Sequence, residues 1–196
     1  MGGESSNGGN GVTIGNNSNG RIPTTSGNVI IGAFAQSGQN GITIGYNSGS
    51  LDSSVSVGTA AGRYWDNNNE EDVNNIFIGY QAGQGNSTGD SRGQSNIAIG
   101  LDAMKLAGYD GNDGLAEQNA DRNICIGQEA GEVLRSNSNI AIGHYALRSY
   151  NQTHFANQSN VVIGDEAAID LVGSGNGTAN ANVMVGSEAG TNLTDG

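Results

Sequence analysis

Few groups in this 196-residue chain could do chemistry: two histidines, one cysteine, and 19 acidic residues against 7 basic ones. His144 directly follows a glycine and is expected on a turn, His154 lies in a long connecting segment, and no activated-nucleophile motif accompanies either. Asp165 and Glu166 are the carboxylate pair to weigh for acid–base cleavage of a glycoside, but neighbouring residues of a strand point to opposite sides. Asp110, Asn112 and Asp113 crowd hard oxygen donors around two glycines, as calcium loops do. They lack the EF-hand spacing and its bidentate glutamate, so they are weak metal candidates in what is expected to be a tight turn. No catalytic residue, metal or cofactor is assigned, and the chain is expected not to be an enzyme.

Binding chemistry has better material. Tyr64, Trp65 and Asp66 stand together, and Tyr150, His154 and Phe155 form a second group. An aromatic ring beside carboxylates and amides can stack on a sugar and bond its hydroxyls, and the same side chains can equally pack a loop onto its scaffold or a neighbouring chain. These six are the candidate contacts to a ligand or partner.

Whatever positions these groups is repetitive. Ten times the chain writes Asn, Gly or Ser, then Val/Ile, any residue, Val/Ile, Gly, with Ala or Ser three positions later, as in Asn75-Ile76-Phe77-Ile78-Gly79 with Ala82. Spacing between the closing glycines ranges from 13 residues, Gly32 to Gly45, to 27, Gly100 to Gly127. Thirteen residues hold two short strands and two turns, too few for the helical repeats, which need about 33 or more. The expected fold class is therefore all-β: a solenoid of about ten coils with insertions at 63–74, 84–95, 104–122, 147–159 and 168–181, whose faces are buried by stacking on neighbours. Domain organisation is expected to be a flexible arm at 1–10, one repeat domain at 11–190 and a tail at 191–196.

The two branched residues of each phrase lie two apart and share a side of the strand, and their aliphatic character predicts that they face inward. The closing glycine is expected to adopt a positive φ or to permit a close backbone approach, and the small residue after it to sit at a corner. The residue between the branched pair is then expected to face outward. From Phe77 onward it is apolar throughout, through Ala98, Cys125, Ala141, Val162 and Met184, which predicts an interface between identical chains along that stripe.

A net charge of −12 argues against nucleic acid or an anionic membrane surface as partner. No stretch is apolar enough to cross a bilayer as a helix, and the first residues lack the basic and apolar regions of a signal peptide. Cys125 has no intrachain partner, so the fold is not expected to depend on a disulfide.

The phrase Asn-x-Val/Ile-x-Ile-Gly with its following Ala resembles the head repeat of trimeric autotransporter adhesins, the YadA-like head, and the similar repeat of phage tail-fibre and virion-surface proteins. What the resemblance implies is a left-handed parallel β-roll associating side by side as a homotrimer. It also implies a structural or adhesive role: a phage virion component, as tail fibre, receptor-contact module or capsid decoration protein at the virion surface. Its partners would be further copies of itself, other virion proteins or a cell-surface glycan. The alternative is a head fragment of a bacterial adhesin at the cell surface.

Overall fold

The computed structural model describes residues 11–20, 27–65, 74–87, 91, 93–108, 120–148, 158–169 and 180–191. The expected arm at 1–10 and all but the first residue of the tail lie outside them. Among the described residues the regular elements are all strands: β1 (Val12–Ile14), β2 (Asn19–Gly20), β3 (Val29–Ile31), β4 (Gln36–Ser37), β5 (Ile42–Ile44), β6 (Gly49–Ser50), β7 (Val55–Val57), β8 (Ile76–Ile78), β9 (Ile97–Ile99), β10 (Ile124–Ile126), β11 (Ile140–Ile142), β12 (Val161–Ile163) and β13 (Val183–Val185). Each three-residue strand is the centre of one phrase. The ten of them form one parallel sheet in which each strand pairs with the phrase before and after it, β1-β3-β5-β7-β8-β9-β10-β11-β12-β13. Register never slips, whatever the insertion length: Ser56 pairs with Phe77, Phe77 with Ala98, Ala98 with Cys125. That is the topology of a solenoid.

The second wall is less uniform. In the first three coils it is a three-stranded parallel sheet, β2-β4-β6. From Gly58 onward the described part of this wall is a run of turns, with left-handed residues alternating along it, such as Asp102, Met104 and Leu106.

The strands face the opposite way from the sequence expectation. Ile30, Thr43, Ser56, Ala98, Cys125, Ala141 and Val162 are fully buried and Phe77 and Met184 nearly so, while the flanking Val/Ile pairs are half-buried or exposed. The proposed interface stripe Phe77, Ala98, Cys125, Ala141, Val162 and Met184 is thus the inner core of the chain itself, and the outer face carries the branched residues. The reason is room. Between the walls there is space for one side chain from each strand, and a three-residue strand offers either its middle residue or its two ends.

That space is shared with the residue four positions after the closing glycine, and the two sizes compensate. Phe77 is matched by Gly83, Ala98 by Met104, Cys125 by Gly131, Ala141 by Leu147, Val162 by Ala168 and Met184 by Gly190. A Cβ on Gly83 would run into the Phe77 ring, and one on Gly131 into the Cys125 sulfur. The pair thus keeps a similar volume from coil to coil, as close packing requires, except at Cys125 and Gly131, which are both small and have Leu134 beside them. Nearer the N-terminus the core is instead a hydroxyl network, with Thr43 and Ser50 side chains 2.6 Å apart and Ser50 and Ser37 3.0 Å apart.

Two axial columns lock the coils together. The closing glycines hold φ between 136° and 149°, and from Gly15 to Gly164 a Cβ on each would overlap the carbonyl of the next glycine in the column. Both expected roles of this residue, positive φ and close approach, are therefore present. The corner itself is made one residue before the small Ala, by a left-handed residue such as Gln81 between Tyr80 and Ala82. The second column is Asn75, Asn96, Asn123, Asn139, Asn160 and Asn182. The Oδ1 of each but the last accepts the backbone N–H of the next asparagine at 2.8–3.0 Å and its Nδ2 at 3.1–3.3 Å. The amides thus bond the neighbouring coil, Asn139 Nδ2 also donating to Ser136 Oγ and the Asn137 carbonyl of its own turn, and satisfy buried polar groups that would otherwise be costly.

Among the described residues no coil follows Gly186, and a Cβ there meets nothing closer than the Ala189 Cβ at 3.9 Å. Gly186→Ala is expected to cost only the backbone strain of its φ, about 1–3 kcal/mol. Gly100→Ala adds the carbonyl overlap and is expected to exceed about 4 kcal/mol or to abolish the cooperative transition. Equal losses in thermal or denaturant unfolding would contradict the column as the constraint.

Candidate functional site

The largest unpartnered feature is the outer face of the ten-stranded sheet. It presents two columns of Val and Ile, twenty side chains in register. Val12, Ile14, Ile42, Ile78, Ile126, Ile163, Val183 and Val185 are the most exposed of these, and Tyr46, Tyr80 and Leu101, each just after a closing glycine, add exposed apolar surface. At a strand spacing of about 4.8 Å the face is about 50 Å long, on the order of 500 Å². Isolated exposed aliphatics are ordinary, but a contiguous face of this size is at the upper end for a monomer.

The chemically suggestive residues separate into three groups. Asp66, Asp110, Asn112, Asp113, Tyr150, His154 and Phe155 fall outside the described residues. Trp65 is a core residue: it is 3% exposed, its Nε1 donates to the Gly93 carbonyl at 3.1 Å, and its ring lies 5.2 Å from that of Phe77. It is therefore not available to stack on a ligand, and of the two roles open to it in the sequence it has the packing one. Tyr64 does reach the surface, with the Arg63 guanidinium 4.1 Å above its ring.

Stacking of coils also assembles a group the spacing did not bring together. His144 Nδ1 lies 2.8 Å from Asp165 Oδ1, and with Glu166 the three ligand atoms fall within 4.8 Å of one another. Their separation of 21 residues in sequence equals one coil, so the signal was the common position after Gly143 and Gly164. The pair is well exposed to solvent, 41% and 61% at the side chains, and the geometry is that of a surface ion pair.

On the second wall Arg148 joins Glu129 at 3.0 Å and Glu132 at 2.7 Å while lying over the Tyr145 ring. Burial raises the Glu132 carboxyl above its ordinary range; the Arg148 charge lowers it by less, and Glu129 adds to the rise. This cluster ties two successive coils together. Cys125 is free and fully buried, and desolvation pushes its thiol far above the ordinary range. It has no thiolate character to serve as a nucleophile.

One cleft, of about 250 Å³, lies where the strands of the second wall give way to turns. Phe34, Gln36, Asn47, Ser50, Arg63 and Tyr64 are among its lining residues. The tyrosine singled out in the sequence thus belongs to a real concavity, but with partners from two earlier coils.

The class defined by this geometry is an all-β solenoid with a one-residue-wide interior and an apolar outer face. No protein-family model, curated protein or solved structure matches the chain. Among the described residues no helix is long and apolar enough to cross a membrane.

Two outcomes follow from the buried groups. Cys125 is expected to resist a thiol reagent in native buffer and to react only in denaturant; native labelling at the rate of a free thiol would place it elsewhere than in the core. A carboxyl raised in the fold contributes stability that is present below its unfolded value and is lost as pH rises through the folded one. Glu132→Gln keeps the neutral form at all pH, so its Tm should match wild type at pH 4 and exceed it increasingly towards pH 7. A variant less stable than wild type at pH 7 would mean that the Arg148 pairing outweighs burial.

Proposed function

We propose that the protein is a non-enzymatic structural and adhesive component of a particle surface. It works as a homotrimer of left-handed β-rolls joined through their Val/Ile faces, and its most fitting place is the outside of a phage virion. The observation that carries this reading is the outer face of the sheet: two columns of branched aliphatics kept in register for ten coils, although the core does not use them. Two such faces, each on the order of 500 Å², would bury about 1,000 Å², the lower limit for a specific protein interface. Strict Val/Ile usage at positions outside the core makes sense if a second chain packs there. The net charge of −12 keeps the remaining surface solvated and steers away from nucleic acid and anionic lipid.

As a virion part, the roll would act as a rigid spacer while its insertions meet a receptor or a neighbouring structural protein, loops on a firm scaffold being the usual carriers of recognition. Tail-fibre contact and capsid decoration both fit. Immunogold labelling of particles from the producing host distinguishes them, and labelling of bacterial cells alone would overturn a virion origin.

Assembly is testable on the pure protein. Light scattering should give about three times the chain mass of 19.9 kDa. Ile99→Asp on the outer face should shift the protein towards monomer with its β circular dichroism retained, whereas Ala98→Asp, one residue away and inside, should abolish folding. A wild-type monomer at micromolar concentration, or an Ile99→Asp trimer as stable as wild type, removes the basis of the assembly.

A further inference from the structure

The cleft at the step in the second wall is a built site rather than an accident of loops. It forms because β6 is the last strand of its sheet, and the following coil continues as turns through Gly62, Arg63 and Tyr64. Its walls are tied down by the inter-coil ladder: Phe34 N–H donates to the Asn16 carbonyl at 3.0 Å, Gln36 N–H to Ser48 at 3.0 Å, and Asn47 N–H to Ala33 at 2.9 Å. Beneath it the Ser50 hydroxyl is held by Thr43 and Ser37. A ligand would therefore meet a surface already arranged for it, with little ordering to offset.

The lining specifies the ligand's chemistry. Phe34 is 44% exposed and Tyr64 36%, and both border the concavity, Phe34 at right angles to the Tyr46 ring and Tyr64 with the Arg63 guanidinium over its own. Gln36 and Asn47 bring two amides, each able to donate and accept. Among the described residues Arg63 is the one charged residue of the lining, and none of them is a carboxylate. A guanidinium whose Cζ lies 4.1 Å from the Tyr64 ring centroid still has N–H groups to offer an anion, and its fork suits a carboxylate. At about 250 Å³ the cleft is below the roughly 300 Å³ at which sites for drug-sized molecules begin, which leaves room for about one ring.

From this we infer that the cleft binds a single acidic pyranose, a uronic-acid-type residue of a glycan. The apolar face of the sugar ring lies on Phe34, its hydroxyls bond Gln36 and Asn47, and its carboxylate meets Arg63 where the guanidinium lies over Tyr64. A neutral sugar leaves the guanidinium without a partner, and an apolar ligand leaves both amides unused. The inference deepens the adhesive part of the function proposed above. It does not depend on the assembly part, because no residue of the outer sheet face lines the cleft.

The test is a matched pair of probes, methyl β-D-glucuronide and methyl β-D-glucoside, titrated into the full chain and followed by NMR, with light scattering on the same samples. For a ligand of about 14 non-hydrogen atoms at about 0.3 kcal/mol each, a Kd of about 1 mM is expected for the glucuronide. The glucoside should bind at least about tenfold more weakly, since it lacks the charge-assisted bonds. Arg63→Met keeps the aliphatic stem and should bring the glucuronide down to the glucoside's affinity. Phe34→Asn should weaken both probes without harming the fold, because Asn17 and Asn47 hold the same left-handed position in the flanking coils, at φ 52° and 54° against 58° for Phe34. Equal affinity for the two probes, an Arg63→Met protein that still prefers the glucuronide, or no binding of either probe at about 50 mM overturns the inference. A trimer that binds neither probe overturns the cleft assignment alone, and a monomer that binds the glucuronide overturns only the assembly.

Discussion

Everything in this molecule follows from an interior one side chain wide. A strand of three residues can offer such a space only its middle residue. The opposite wall must then shrink wherever that residue is large, as Gly83 does against Phe77, and grow wherever it is small, as Met104 and Leu147 do against Ala98 and Ala141. The same narrowness removes any place for the branched pairs except the outside. The feature that makes the roll thin is thus the feature that gives it an apolar face.

A core this thin gives little stabilisation through depth, and the structure compensates along the axis. Each coil is joined to the next by unslipped parallel strands, by the glycine column and by the asparagine ladder. Those are nearest-neighbour interactions, so insertions between phrases can vary from none to more than a dozen residues without disturbing the stack. The two ends differ from the middle. Val12, Ile14, Val183 and Val185 are the most exposed of the outer Val and Ile, because each lies on a strand with one neighbour among the described residues.

The two walls offer different kinds of surface. The sheet wall is regular and aliphatic, suited to packing against something equally regular. The second wall changes character after the third coil, and that change is what opens a cleft with aromatic, amide and guanidinium groups together. Regularity made one surface and its interruption made the other.

Much of the fold was legible in the residues. The 13-residue minimum spacing implied an all-β coil, and the glycines' positive φ and close approach followed from their invariance. The direction of the strands was not legible from hydrophobicity, because Val and Ile are the more apolar residues and yet face out. It could have been found from size, since the middle residue and the one four after the glycine compensate in volume in five of the six coils from Phe77 with Gly83 onward, Cys125 with Gly131 being the exception. For the site, Tyr64 was recognisable as an aromatic beside polar groups. Trp65 was not separable from it, because adjacent residues of a turn can be one in the core and one in solvent.

By itself the sequence determined the repeat, its strand character, the positions that need glycine or asparagine, and the acidic charge, because these are properties of one coil and recur in each. Only the tertiary structure decided which side of the strand is inside, which residues from different coils meet, and where a cleft opens. Those depend on the width left between two walls and on what lies one coil above, at sequence distances that the variable insertions conceal.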